Sequence, residues 1–427
     1  MKLRIVILIV LFSAVQGFCD QQIPKEGYLS DFETIWKKVN ETYFDPSFGG
    51  LDWIKAHDRY RPQIAAAKTD GEFNTLINKM LWELNVSHAA FVPPGFLAAV
   101  EPVVFAAGGI GLDVRILDGE AVITSVGPGS PAHQAGLRPG FIIQAIDGVP
   151  IAQIKKDVQR DRPPYNDRGR IAQITKGIMS RIYGAPETTV SIAYSDEEGA
   201  SREKTMARTK RPGAAVGPRG MFFFAIEFEA RRLANNIGYI RLNTLQPELT
   251  ARVSSAMTSM GSVSGMIIDL RGNSGGEIEG MPDLFLAERT WLYLRKARTG
   301  ETKITSNPPK DVYRGPLAVL IDVTSGSASE LFAACLQALG RAVVVGDRSP
   351  GSVMESDNHI FPNGAILMYP VAQLCTPDGT VLEGRGVIPD IDVAQNRGML
   401  VKGIDAQLES ALGYIRKNMQ RQEQELR

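Results

Sequence analysis

Two short stretches combine residue types that do chemistry with glycines that let a backbone present it. One is Asp269-Leu270-Arg271-Gly272-Asn273-Ser274-Gly275-Gly276; the other is Thr324-Ser325-Gly326-Ser327-Ala328-Ser329-Glu330. Consecutive glycines allow a sharp turn and leave peptide N–H groups without side-chain cover. Each stretch ends an apolar run that reads as a strand, Gly265–Leu270 and Leu317–Val323, and precedes a segment that reads as a helix, Glu277–Glu288 and Glu330–Leu339. In α/β folds, sites gather at such strand ends. A serine hydroxyl there, followed by a free N–H at a helix start, has the parts of a nucleophile and an oxyanion site. The same Ser/Thr-rich turn also fits an ordinary helix cap, because Glu330 follows Ser327 by three residues as in a capping box.

A serine nucleophile needs a base, and a neutral imidazole, with an ordinary pKa of about 6.5, suits that task. Four histidines are available. His57, among Lys55, Asp58 and Arg59, reads as part of a solvated helix face, and His133 as a packing or surface residue in a short turn and helix. His359 precedes the turn Phe361–Gly364 and is a candidate base. His88 ends Asn85-Val86-Ser87-His88 shortly before Pro93-Pro94, a setting that suits either a base or a structural loop histidine. Asp269 and Arg271 read as an ion pair. The three cysteines, Cys19, Cys335 and Cys375, form no CxxC or Cys/His cluster, so no metal or other cofactor is expected; Cys335 reads as a buried thiol.

The chain has 427 residues, 44% hydrophobic and 22% charged, which is globular composition with room for two or three domains. Forty-seven basic residues balance 47 acidic ones, and so no overall field favours nucleic acid. Met1–Cys19 has a basic start, a short apolar run and small residues: a secretory signal predicting a periplasmic or secreted protein with no membrane span after cleavage. Cys19 could alternatively carry a lipid anchor, although Phe18 is bulky for that role. Residues 20–100 carry apolar positions at helical spacing (Phe32, Ile35, Trp36, Val39, then Phe73, Leu76, Ile77, Met80), with Asp31 and Asp70 as helix starts. Residues 101–210 are glycine-punctuated and β-rich. Residues 211–427 alternate strands and helices and end in a charged helix, predicting a multidomain α/β protein.

Gly109-Ile110-Gly111-Leu112 and the segment Ser130–Gly148 resemble the carboxylate-binding loop and the signature of a PDZ domain, with Phe141 where an aspartate is usual. That resemblance implies a sheet edge and loop N–H groups that receive the C-terminus of a peptide. Taken with Asp-Leu-Arg-x-Asn-x-Gly-Gly, Ser-Ala-Ser-Glu and Glu383-Gly-Arg-Gly-Val-Ile-Pro-Asp, the whole resembles the C-terminal processing peptidases and tricorn-core serine proteases. The resemblance implies a ClpP/crotonase-like protease domain with Ser327 as nucleophile and the N–H groups of Gly275 and Ala328 as oxyanion donors. Members with a Ser-Lys dyad carry a lysine where this chain has Ser352, and no lysine lies between Lys310 and Lys402. The tricorn-like branch instead implies His88 as base, supported by Ser87 and Glu383. The expected function is an exported serine endopeptidase acting on polypeptides with unstructured segments or free C-termini. The alternative is a noncatalytic ligand- or peptide-binding protein on the same scaffold.

Overall fold

The computed structural model describes residues 25–94, 108–161, 166–211, 215–216 and 224–425. The expected export segment, including Cys19, lies outside them. Three helices come first: α1 (Lys25–Thr42), α2 (Trp53–Ala66) and α3 (Asp70–Trp82). Their apolar stripes meet in one core of Phe32, Ile35, Val39, Trp53, Ile64, Phe73, Ile77 and Leu81. Thr69 caps α3, its hydroxyl accepting the Glu72 N–H, so Asp70 stands in the first turn. Asp31, by contrast, is in mid-helix. After α3 the chain passes Ser87 and His88 into a three-residue strand, β1 (Ala90–Val92).

The β-rich segment forms a sheet of strands Leu112–Leu117, Glu120–Val126, Ile142–Ile146, Thr189–Ser195 and Ser201–Ala207, in that order. Leu112–Leu117 is therefore an edge strand. Two helices that the β-rich reading missed, Ile151–Asp161 and Asp167–Ile182, pack into the same core through Ile154, Ile174 and Ile178.

In the C-terminal half, a six-stranded sheet runs in the order Phe228–Leu233, Ile237–Leu242, Gly265–Asp269, Leu317–Ile321, Val343–Gly346, Ile391–Asp392. Only its first pair is antiparallel. Side chains alternate along a strand. Hence Leu317, Val319 and Ile321 face one core, with helices Pro247–Met260 and Ala328–Ala338, while Ala318 and Leu320 face another, covered by helix Ala406–Glu425.

The expected helix Glu277–Glu288 does not form. Glu277 donates its N–H to the Leu245 carbonyl, and only Pro282–Phe285 makes a 3-10 turn. A second, antiparallel sheet was also not foreseen: β1, Ile366–Cys375, Trp291–Ala297 and Gly300–Thr305 are neighbours in that order, and Glu355–Ile360 joins the long strand as well. This sheet docks the helical unit onto the α/β unit, since Phe361, Ala365, Leu367 and Tyr369 share the helices' core. Among the described residues no helix is long and apolar enough to cross a membrane.

Candidate active site

Ser327 stands between strand Leu317–Ile321 and helix Ala328–Ala338, half-buried, with φ 57° and ψ −122°. A non-glycine residue in that conformation costs about 1 to 3 kcal/mol and persists only where its surroundings impose it. The surroundings here are visible. The Ser327 N–H donates to the Ser352 carbonyl at 2.9 Å and to Glu330 Oε2 at 3.0 Å. Glu330 is fully buried and also accepts from the N–H groups of Gly351 (2.6 Å) and Ser352 (2.8 Å) and from Ser349 Oγ (2.6 Å). Burial pushes its pKa up to about 7, against the pull of these hydrogen bonds. The helix-cap reading of Glu330 is thus right as far as it goes, but the same carboxylate also fastens the segment 349–352 beside the serine.

The loop Asp269–Gly276 lies against this turn. A Cβ at Gly275, whose φ is 104°, would stand 2.5 Å from the Ser327 Cβ, so only glycine fits there. Asn273, fully buried, ties the loops: its Oδ1 accepts from Ser329 Oγ at 2.6 Å, its carbonyl accepts the Gly326 N–H at 2.9 Å, and its Nδ2 donates to Leu242. Asn273 Oδ1 also accepts the Gly275 N–H at 2.9 Å. The Gly275 N–H, expected as an oxyanion donor, is thus hydrogen-bonded within its own loop. The N–H groups of Ala328 and Gly276 have no hydrogen-bond partner among the described residues. That of Gly276 points away from Leu245, since the flanking peptide groups make the bridge.

Asp269 and Arg271 form the expected structural pair, Nη2 to Oδ2 at 2.6 Å, and Tyr239 donates to the same carboxylate at 2.7 Å. Burial works to raise the Asp269 pKa, yet the Arg271 charge and the hydrogen bonds outweigh it and hold the group at about 2.

Ser87, His88 and Glu383 come together from ends of the chain far apart in sequence. Ser87 Oγ lies 2.7 Å from His88 Nδ1 and 2.9 Å from Glu383 Oε2, and the Ser87 N–H donates to Glu383 Oε1 at 2.5 Å. A carboxylate only accepts, so the Ser87 proton goes to Glu383 and Oγ must accept Nδ1–H from His88. The tautomer that follows makes Nε2 the acceptor nitrogen of the His88 ring. His88 is buried, with φ 57°. The Ser87–His88–Glu383 group and the Ser327 turn meet on consecutive residues: Glu383 Oε2 accepts the Val353 N–H at 2.7 Å, while the Ser352 carbonyl accepts the Ser327 N–H. Ser352, where a dyad lysine would stand, serves as this spacer.

The other histidines have different surroundings. His359 sits in strand Glu355–Ile360, edge-to-face on Phe361, and hydrogen-bonds to neither loop. His57 is not on a solvated face: it bonds Glu33 and Asp58 and packs on Phe32 and Trp36. His133 Nδ1 accepts the Gly129 N–H. Of the expected peptide loop, Gly109, Ile110 and Leu112 are buried and Gly111 is exposed.

Residues 236–393 match the peptidase family S41, residues 24–82 the tricorn protease C1 domain and residues 122–160 a PDZ domain. The chain is 25% identical over 383 residues to a chloroplastic C-terminal processing peptidase of Tetradesmus obliquus, covering 87% of this chain and 79% of that one. It is 27% identical over 395 residues to a carboxyl-terminal-processing protease of Synechocystis, covering 89% and 85%. The photosystem II D1 C-terminal processing protease shares the fold at a TM-score of 0.58, with 23% identity over 92% of this chain and 97% of that one. Tricorn protease does so at 0.54, with 19% identity over 93% of this chain and 37% of that one. The chain is a multidomain α/β protein with N-terminal helices matching the tricorn C1 domain, a PDZ region and an S41 peptidase domain, and it is similar to C-terminal processing peptidases.

Proposed function

We propose that this peptidase is an exported serine endopeptidase that works through Ser327 and His88. The observation that carries the reading is the Glu383–Ser87–His88 relay, which fixes the imidazole tautomer and ends beside the segment holding the Ser327 backbone. In acylation, Ser327 Oγ attacks the scissile carbonyl carbon as its proton passes to His88 Nε2. Collapse of the tetrahedral intermediate breaks the C–N bond and returns that proton to the leaving amine. Water then repeats the sequence on the acyl-enzyme. The Ala328 N–H at the helix start is a donor for the developing oxyanion, and the Gly276 N–H is its partner. Polypeptides with free or unstructured ends are the substrates, and the PDZ region takes up a C-terminus.

The test is hydrolysis of casein, an unstructured protein, together with labelling by a fluorophosphonate. Ser327→Ala should lose both while keeping the thermal transition of the parent chain. Equal turnover by the variant would remove Ser327 from the mechanism. A parent chain that neither cleaves nor labels would favour the noncatalytic binding protein.

A further inference from the structure

Asn78 is a polar residue in the middle of an apolar helix face. It lies on α3 between Ile77 and Met80, and it is almost completely buried. A buried amide is costly unless its groups are hydrogen-bonded. Here they are, and not to the helix alone. Asn78 Nδ2 donates to the Phe91 carbonyl at 2.9 Å, and Asn78 Oδ1 accepts the Phe91 N–H at 2.9 Å. The same Nδ2 reaches the Asn74 carbonyl one turn back at 3.0 Å.

Phe91 is the central residue of β1, which among the described residues pairs on one side only, with Ile366–Met368. A side-chain amide presents the same donor and acceptor as a peptide group. Asn78 therefore closes the open edge of β1 as a neighbouring strand would. His88 precedes Phe91 by three residues, with only Ala89 and Ala90 between them.

We propose that Asn78 is a positioning residue for His88, and that through it the helical unit sets where the base stands. The proposal rests on the reading of His88 as base. Ser87 and Glu383 orient the imidazole about its own bonds, whereas Asn78 fixes the strand from which His88 departs. A displacement of about 1 Å in a reacting group can cost about 100-fold in rate.

The test uses the full chain carrying Asn78→Leu, which removes both bonds at similar volume, or Asn78→Asp, which keeps the acceptor and loses the donor. Each should lower kcat about 10- to 100-fold and leave KM within about twofold. With four histidines in the sequence, imidazole NMR signals can be assigned by single substitution. The His88 signals should move, while those of His57, packed on Phe32 and Trp36 in the same helical unit, should not. Unchanged kcat, or a loss in which His57 moves as much as His88, would overturn the proposal by making Asn78 a general stabiliser of the helices. Should neither variant fold, amide exchange of Phe91 in the parent chain decides: protection matching that of the Ile366–Cys375 ladder supports the grip, and exchange typical of an open edge refutes it. If instead His88→Ala keeps full activity, the base reading fails, and the dependence of the His88 signals on Asn78 remains to be read separately.

Discussion

Ser87 and Glu383 are 296 residues apart in sequence, yet they share two hydrogen bonds, one through the Ser87 N–H and one through its hydroxyl. The first anchors the backbone beside His88 and the second sets the tautomer of its imidazole. Ser87→Ala keeps the first and abolishes the second, so the imidazole loses the acceptor for Nδ1–H. Its kcat should fall about 100-fold or more with little change in KM, a magnitude in the range of triad substitutions. Glu383→Ala, which also releases the Val353 N–H, should be the more damaging of the two. Equal activities for Ser87→Ala and the parent would mean that the relay is structural only.

Two carboxyl groups of the α/β unit give its stability opposite pH dependences. The folded Glu330 titrates at about 7 against an ordinary 4.5, so the folded chain binds more protons between those values. Its contribution is full below about pH 4.5 and is lost as pH rises through about 7. Asp269, held at about 2 against an ordinary 3.8, contributes above about pH 3.8 and loses that contribution as pH falls through about 2. Thermal unfolding from pH 2 to 8 should show both limbs, and Glu330→Gln should flatten the upper one. An upper limb of the same slope in that variant would assign it to other groups.

Arg115, on the edge strand of the PDZ region, pairs with Asp322 at 2.6 Å, and both are buried. Asp322 Oδ1 in turn accepts from the N–H and hydroxyl of Thr324, at the start of the turn that carries Ser327. Arg115→Met would leave the Asp322 carboxylate buried without its counter-charge, at a cost of about 3 to 5 kcal/mol. Adding Asp322→Asn should restore part of that loss, because no unpaired charge then remains. Urea unfolding of the two variants is the check, and a cost below about 1 kcal/mol for the single variant would show that the pair does not hold the two units together.

The strand, turn and helix from Leu317 to Ala338 were legible because each signal is local: an apolar run, a Gly/Ser turn, an apolar helix. Ile278, Met281, Leu284 and Phe285 have helical spacing too, and they do reach the core, but the peptide groups around Gly276 are committed to Leu245 and Pro282 lies within the segment. The second sheet pairs Ala90–Val92 with Ile366–Met368, a contact between segments far apart in sequence that no periodicity reveals. Among site residues, Asn273 and Glu330 stood inside the motifs, yet their work of joining the loops depends on Ser329, Ser349 and Gly351, which only the fold brings near. Asn78 is a polar residue between the apolar Ile77 and Met80, and its partner Phe91 is brought to it only by the fold.

The proposed uptake of a peptide C-terminus by the PDZ region makes a separate demand on the structure. Gly111 is exposed, has φ 73°, and lies so close to Ser130 that an added Cβ would stand 2.3 Å from the serine Cβ. Its carbonyl is occupied by the Gly127 N–H and Ser130 Oγ, and the N–H groups of Ile110 and Gly111 have no partner among the described residues. Those two donors, followed by the edge strand Leu112–Leu117, are what a terminal carboxylate and an added peptide strand would use. Amidating the peptide removes the charge while keeping its shape. Calorimetric titration of the full chain carrying Ser327→Ala should find the free-acid peptide tighter than its amide by about 1.5 to 3 kcal/mol, the range for hydrogen bonds to a charged group. Equal affinities would place substrate selection in the cleft beside Ser327, and the buried Gly109, Ile110 and Leu112 would then be core residues of a fold that binds no C-terminus.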